Sequence, residues 1–208
     1  MGEYTKEDFI RFWGDGYIEK FNSYKNQFNI DQEIIYNKII KSYENKEHIS
    51  LEIGCGGGIW ANKFVNKFAQ VIAIDVIPKS KLINKKIKYY ELSNCDYSCS
   101  PIEDNSIDFV WSFGVFCHLP NNAIIKYIKN IHRILKIGGN AVIMFADWQT
   151  HPGLNHLTNG YNYRETPYLT WFYMDKETIN KILLENNIIE YDDLMPDFRD
   201  RLIHFKKS

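Results

Sequence analysis

Long apolar runs are missing from this 208-residue sequence: none approaches the roughly 20 residues that a bilayer span requires, so no membrane helix is expected. The N-terminus, MGEYTKEDFIRFW, mixes charges from its first residues and lacks the apolar core of a secretory leader. A surplus of either charge is missing too. Lys and Arg number 25 against 26 Asp and Glu, for a formal net charge of −1. Docking on duplex nucleic acid needs a basic excess, so nucleic acid is not an expected partner, although a local basic pocket stays open. Cysteine is scarce. The four, at 55, 95, 99 and 117, do not have the paired spacing of a zinc site. They read as reduced thiols of a reducing cytoplasm, serving as small loop and core residues, and no metal is expected. Internal repeats, low-complexity tracts and flexible linkers are absent as well.

What is present is enough for one α/β domain with a real core: 45% apolar residues, of which aromatics are a generous part at 15% of the chain. Residues 1–47 read as a helical arm. Thr5 and Asp8 resemble a capping box before Phe9, Phe12 and Trp13, and a second helix is predicted to open at Asp31. From residue 48 to 146 the rhythm changes. ISLEI, VIAID, IKYYEL, IDFVWSF and NAVIMFA are short and rich in β-branched or aromatic residues. Between most of them lie predicted helices: IWANKFVNKF, a short KSKLINKK, and NNAIIKYIKNIHRILK. Such alternation predicts a parallel sheet with helices on both faces. Residues 147–173 interrupt it with an insertion rich in Pro, Gly, His and aromatics, which is long for a plain connection and reads as a lid over an acceptor. Residues 174–208 supply a closing helix, with Asp175 as N-cap, and two last strands, IIEYDDL and RLIHFK.

The glycine run LEIGCGGG follows the first strand, and a helix starts directly after it. Dinucleotide-binding turns use G-x-G-x-x-G, whose third glycine packs helix against strand. Counted from Gly54, that glycine should stand at position 59, where the chain has Ile59. The pattern that fits is E-x-G-x-G-x-G: Glu52, Gly54, Gly56 and Gly58. Glycines here let the backbone pass close to a ligand with no Cβ in the way.

In these motifs the chain resembles the class I S-adenosylmethionine-dependent methyltransferases, in particular their small-molecule, type 11/25-like branch. LEIGCGGG is similar to the family's first motif. VIAID ends in Asp75, where the family places an acidic residue for the ribose hydroxyls. NCDYSCSPIEDNSIDFVWSFGVFCHL resembles the adenine loop and fourth strand. IHRILKIGGNAVI resembles the helix and turn before strand five, with Ile137 where proline is commoner. The resemblance implies a doubly wound, mostly parallel seven-stranded sheet whose last strand is antiparallel. It implies S-adenosylmethionine as cofactor, with S-adenosylhomocysteine as product. The cofactor-binding residues it suggests are Glu52, Gly54, Gly56, Gly58, Asp75 and Val76, with Asp96, Tyr97 and Phe113 further on. Each has its own chemistry. Asp75 can accept two charge-assisted hydrogen bonds from a ribose diol, Asp96 can accept from an adenine amino group, and the N–H of Tyr97 can meet a ring nitrogen. A sulfonium needs no phosphate cradle.

Methyl transfer is an in-line displacement, so the protein mostly aligns acceptor, methyl and sulfur in a dry cavity. A hydroxyl acceptor calls for a base; a neutral amine has its own lone pair. His118, just past the fourth strand on the edge where ligands of such sheets bind, is the candidate catalytic base. Its other reading is a pocket-shaping residue. His151 or His156 of the insertion is the alternative base. Trp148, Tyr161 and Arg164 are candidate acceptor contacts, Arg164 for a carboxylate or phosphate. Trp13 and Tyr17 of the arm are candidates to close the site. His48, His132 and His204 read as structural. The expected reaction is O-methylation of a small polar metabolite, a sugar or nucleotide- or phosphate-linked molecule of surface-glycan or secondary metabolism. N-methylation of a small amine and a non-catalytic cofactor-binding subunit are the alternatives. Nucleobase methylation is disfavoured, because the fourth strand ends in WSFGV and not in the Asn- or Asp-Pro-Pro-aromatic tetrad of those enzymes. The protein is expected to act as a cytoplasmic monomer or homodimer.

Overall fold

In the computed structural model the described residues are 5–13, 25–92, 95–147, 172–195 and 200–208. The apolar runs become seven strands: β1 (Ile49–Ile53), β2 (Gln70–Asp75), β3 (Lys88–Glu91), β4 (Ile107–Ser112), β5 (Leu135–Phe145), β6 (Tyr191–Asp193) and β7 (Arg201–Lys206). They form a mixed sheet in the order β3-β2-β1-β4-β5-β7-β6, the arrangement the resemblance implied. The chain divides into two compact units, residues 1–95 and 96–208.

In the first unit β1, β2 and β3 are parallel, with Glu52 opposite Ala73 and Asp75 opposite Glu91. Leu51, Ile53, Ala73 and Ile74 are almost wholly buried. Near-continuous apolar runs are what strands covered on both faces require. Helices α1 (Lys6–Trp13), α2 (Lys25–Lys38) and α3 (Ile59–Phe64) complete the unit. Two sequence expectations need correction here. Helix α2 starts at Lys25, before Asp31, because no glycine or proline between them stops it and the capping signal is bypassed. KSKLINKK is not a helix but a pair of turns. The Ser80 hydroxyl accepts from Leu82 N–H and the Asn84 side chain from Lys86 N–H, giving the backbone local partners that compete with a helix.

In the second unit β5 runs parallel to β4 and antiparallel to β7, which pairs antiparallel with β6. Helix α4 (Asn121–Ile134) buries Ala123, Ile124, Tyr127, Ile128, Ile131 and Ile134, an apolar stripe at helical spacing. It stops at Ile134, and β5 begins at once with Leu135, five residues before the strand read from NAVIMFA. The stretch around Gly138 and Gly139 is drawn into the strand: Gly138 N–H donates to Lys207 O, and a Cβ on Gly139 would fall 2.9 Å from Lys136 O. Helix α5 (Lys176–Glu185) opens as expected, with the Asp175 carboxylate accepting from Thr178 N–H at 2.7 Å. Among the described residues no helix is long and apolar enough to cross a membrane.

Candidate active site

The bend after β1 owes its shape to left-handed glycines. Gly54, Gly56 and Gly58 have φ of 70°, 49° and 78°. Gly54 N–H extends the ladder to Ile74 O, and Gly58 N–H closes a tight turn on Cys55 O at 2.7 Å. At Gly58 a Cβ would come within 2.9 Å of the Ile83 side chain, whereas at Gly56 it would meet nothing within 4 Å among the described residues. The backbone at Gly56 therefore faces open space.

Glu52 braces the bend itself. Its side chain is buried, and Oε2 accepts from Ala61 N–H at 2.6 Å, tying the end of β1 to the first turn of α3. Burial pushes its pKa well above the carboxylate range, and the charge of Asp75 adds to the rise. A carboxyl whose folded pKa is raised stabilises the fold at low pH and loses that contribution as pH rises from the ordinary carboxylate range through the folded value. Glu52→Gln keeps an acceptor for Ala61 N–H without the charge. The variant is expected to lose less stability than the parent between pH 5 and pH 8, as urea unfolding at the two pH values would measure.

Asp75 ends β2 half-buried, and its carboxylate clasps the backbone around it. Oδ2 accepts from Gly56 N–H at 2.7 Å, and Oδ1 accepts from Val76 N–H at 2.7 Å and Ile77 N–H at 3.2 Å. Burial raises its pKa, and these three hydrogen bonds oppose the rise. A carboxylate offers about four acceptor positions. Among the described residues three are used, leaving Oδ2 a place for a hydroxyl beside the open face of Gly56. The donor set and the missing Cβ fit a ribose. Val76 contributes through its backbone, and Tyr89 O–H braces the same turn by donating to Ile77 O at 2.5 Å.

In the second unit the Asp96 carboxylate is exposed and accepts from Ser98 N–H at 2.9 Å, shaping its own turn. Tyr97 and Cys99 hold left-handed φ of 61° and 52° although neither is glycine. The Tyr97 ring stands edge-on to Tyr127 of α4, centroids 5.3 Å apart, and burial pushes the Cys99 thiol up to about 12. Beyond β4, Phe113 stacks on buried Trp111 with rings 8° from parallel. Gly114 then turns with φ of 73° into a short 3-10 turn, Phe116–His118. This turn holds the half-buried ring of His118 past the carboxyl end of β4. Phe172 N–H donates to Cys117 O at 2.7 Å, so the returning chain is fixed next to His118.

The 148–171 segment also leaves and re-enters the described chain at neighbouring points. Ala146 and Tyr173 form a parallel bridge, and Met174 N–H donates to Ala146 O at 2.9 Å. Next to this junction, at the end of β5, the fully buried Asp147 accepts from Arg201 Nε at 2.6 Å, and Asp193 accepts from Arg201 Nη1 at 2.8 Å. Burial alone would lower the pKa of Arg201, but the hydrogen bonds to Asp147 and Asp193 carry it up. Tyr17, Trp148, His151, His156, Tyr161 and Arg164 lie outside the described residues. Trp13 ends α1, and its side chain is likewise outside them. His204 in β7 contacts Asn140 in β5 at 2.9 Å, and burial lowers its pKa. The sequence reading missed Arg201 and also Asn130 and Arg133 of α4, whose side chains reach the Asp96 loop.

Residues 51–143 match a family model described as a methyltransferase domain. A wheat (Triticum aestivum) phosphoethanolamine N-methyltransferase is 27% identical over 150 residues, 69% of this chain. The chain spans only 29% of the length of that relative. A Burkholderia thailandensis 1,6-didemethyltoxoflavin-N1-methyltransferase, solved with 1,6-didemethyltoxoflavin and S-adenosylhomocysteine, superposes with a TM-score of 0.66 at 12% identity, covering 98% of this chain and 87% of its own. A SAM-dependent methyltransferase from Methanosarcina mazei gives 0.60 at 18% identity, covering 81% of this chain and 96% of its own. With the motif order, the strand order and the clasped glycine bend, these likenesses support a class I S-adenosylmethionine-dependent methyltransferase of the type 11 branch.

Proposed function

We propose that the protein moves the methyl group of S-adenosylmethionine to a nitrogen of a small polar amine. The clasp of Asp75 on Gly56, Val76 and Ile77 carries the cofactor half of this reading, because it aims a fixed carboxylate at the place a ribose diol would take. The relatives named as phosphoethanolamine N-methyltransferases support the acceptor half. They turn the choice towards nitrogen, where sequence reasoning alone favoured oxygen. A phosphate on the acceptor suits both their name and Arg164. The acceptor, its methylated atom and a monomeric or dimeric state belong to the proposal.

Bound sulfonium supplies an electrophilic methyl group. The chain supplies the rest. In the first unit Asp75 would hold the ribose; in the second, Asp96 and the Tyr97 N–H would take the base, and Phe113 with Trp111 would give an apolar wall past β4. An amine is protonated near neutrality and has no lone pair until a proton leaves. His118 would take that proton first, after which the N–C bond to the methyl group would form as the S–C bond breaks, leaving S-adenosylhomocysteine. His118→Ala is expected to lower kcat by about a hundredfold or more while cofactor affinity stays within about twofold. Equal loss in both would make His118 architectural.

The test uses purified protein, cofactor with an isotopically labelled methyl group, and three sets of acceptors: free amines, phosphorylated amines, and sugar or nucleotide hydroxyls. Label in an amine product supports the reading. Label only in a methyl ether restores O-methylation. Heat of cofactor binding with no transfer to any acceptor favours a cofactor-binding subunit.

A further inference from the structure

The loop from Asp96 to Asp104 is unusual in carrying two non-glycine residues, Tyr97 and Cys99, in left-handed conformation. Such conformations are unfavourable and persist only where the surroundings over-determine them. Here the surroundings are one stripe of α4. Tyr127, Asn130 and Arg133 recur every three residues and therefore share a face of the helix. Tyr127 packs its ring against that of Tyr97. Asn130 Nδ2 donates to Tyr97 O at 3.1 Å. Arg133 spreads its fork over the rest: Nη2 donates to Ser98 O at 2.9 Å, and Nη1 to Ile102 O at 3.3 Å and to the Asp104 carboxylate. Arg133 Nε in turn donates to Asn130 Oδ1 at 3.2 Å, so the two side chains brace each other.

From this geometry we infer that Asn130 and Arg133 are positioning residues that pre-form the loop for reading the adenine of the cofactor. The inference rests on the proposed cofactor reading and adds to it where base selectivity comes from. Asp96 and Tyr97 can discriminate an amino-bearing base only if the backbone between them is already set. Three of the carbonyls fixing that backbone, those of residues 97, 98 and 102, are held from α4. A planar, five-donor guanidinium suits three divergent acceptors in a way an ammonium does not.

The experiment compares wild type, Arg133→Met and the milder Asn130→Asp, which keeps the acceptor for Arg133 Nε and removes the donor to Tyr97 O. Two quantities are measured: amide hydrogen exchange over residues 96–102 without ligand, and calorimetric affinity for S-adenosylhomocysteine and for S-inosylhomocysteine, whose base carries oxygen in place of the amino group. Wild type is expected to prefer the adenosyl ligand. Both variants should exchange faster in the loop by about tenfold and lose most of that preference, with about tenfold weaker adenosyl binding and little change for the inosyl ligand. Unchanged preference in the variants, or equal weakening for both ligands, overturns the inference, as does a wild type that binds both ligands alike. A wild type that binds neither ligand overturns the cofactor reading itself, a distinct result.

Discussion

Asp75→Ala is expected to weaken S-adenosylhomocysteine binding by about thirtyfold, the scale of losing one charge-assisted hydrogen bond to a ribose hydroxyl. Two effects must be separated. The substitution removes the acceptor for the ligand and also unties Gly56, Val76 and Ile77. Asp75 is only half-buried, so water can reach these N–H groups once the carboxylate has gone, and the structural cost should stay near 1 kcal/mol. The ligand-side loss is the larger. Asp75→Asn keeps one acceptor oxygen and should fall between the two. Calorimetry for affinity and urea unfolding for stability check this together. A weakening under about fivefold would mean that the carboxylate serves the bend and not a ligand.

The second large effect concerns the far end of β5. Arg201 lies between Asp147 and Asp193, whose side chains are 0% and 4% exposed, and its own side chain is only 11% exposed. Removing one partner from a buried ion pair leaves charge without compensation and costs about 3–5 kcal/mol. For a domain whose whole stability is about 5–15 kcal/mol, that is a large share. Arg201→Met is therefore expected to lower the urea midpoint steeply. Adding Asp147→Asn and Asp193→Asn to Arg201→Met removes the stranded charges and should recover a substantial part. The rescue separates electrostatics from lost packing. A loss below 1 kcal/mol for Arg201→Met alone would put the pair in the class of solvated surface bridges.

What the sequence made legible was whatever is encoded locally. The runs of β1, β2, β4 and the second half of β5 were readable because strands covered on both faces are near-continuously apolar. The cap at Asp175 and the glycine pattern were readable because one residue's backbone demand selects its type. Boundaries failed where two local signals compete. Asp31 caps nothing because the helix runs on through it, and Ser80 and Asn84 turned a helical-looking stretch into turns. Roles failed where the partner is distant. For Glu52 the missed role is a second one: its carboxylate accepts from Ala61 N–H, a pairing set by how β1 meets α3. Arg133 meets Ser98 across 35 positions, and Arg201 meets Asp147 across 54. Sequence distance hides such pairs, although the spacing of Tyr127, Asn130 and Arg133 along one side of α4 was a signal that could have been followed.

The central claim is that the bend after β1, together with Asp75, holds an adenosyl sulfonium and not a dinucleotide. Isothermal titration of the wild-type protein with S-adenosylhomocysteine, and in parallel with a nicotinamide dinucleotide, tests it most directly. The account predicts saturable heat with the first and none with the second. Saturable heat with the dinucleotide and silence with S-adenosylhomocysteine would contradict it.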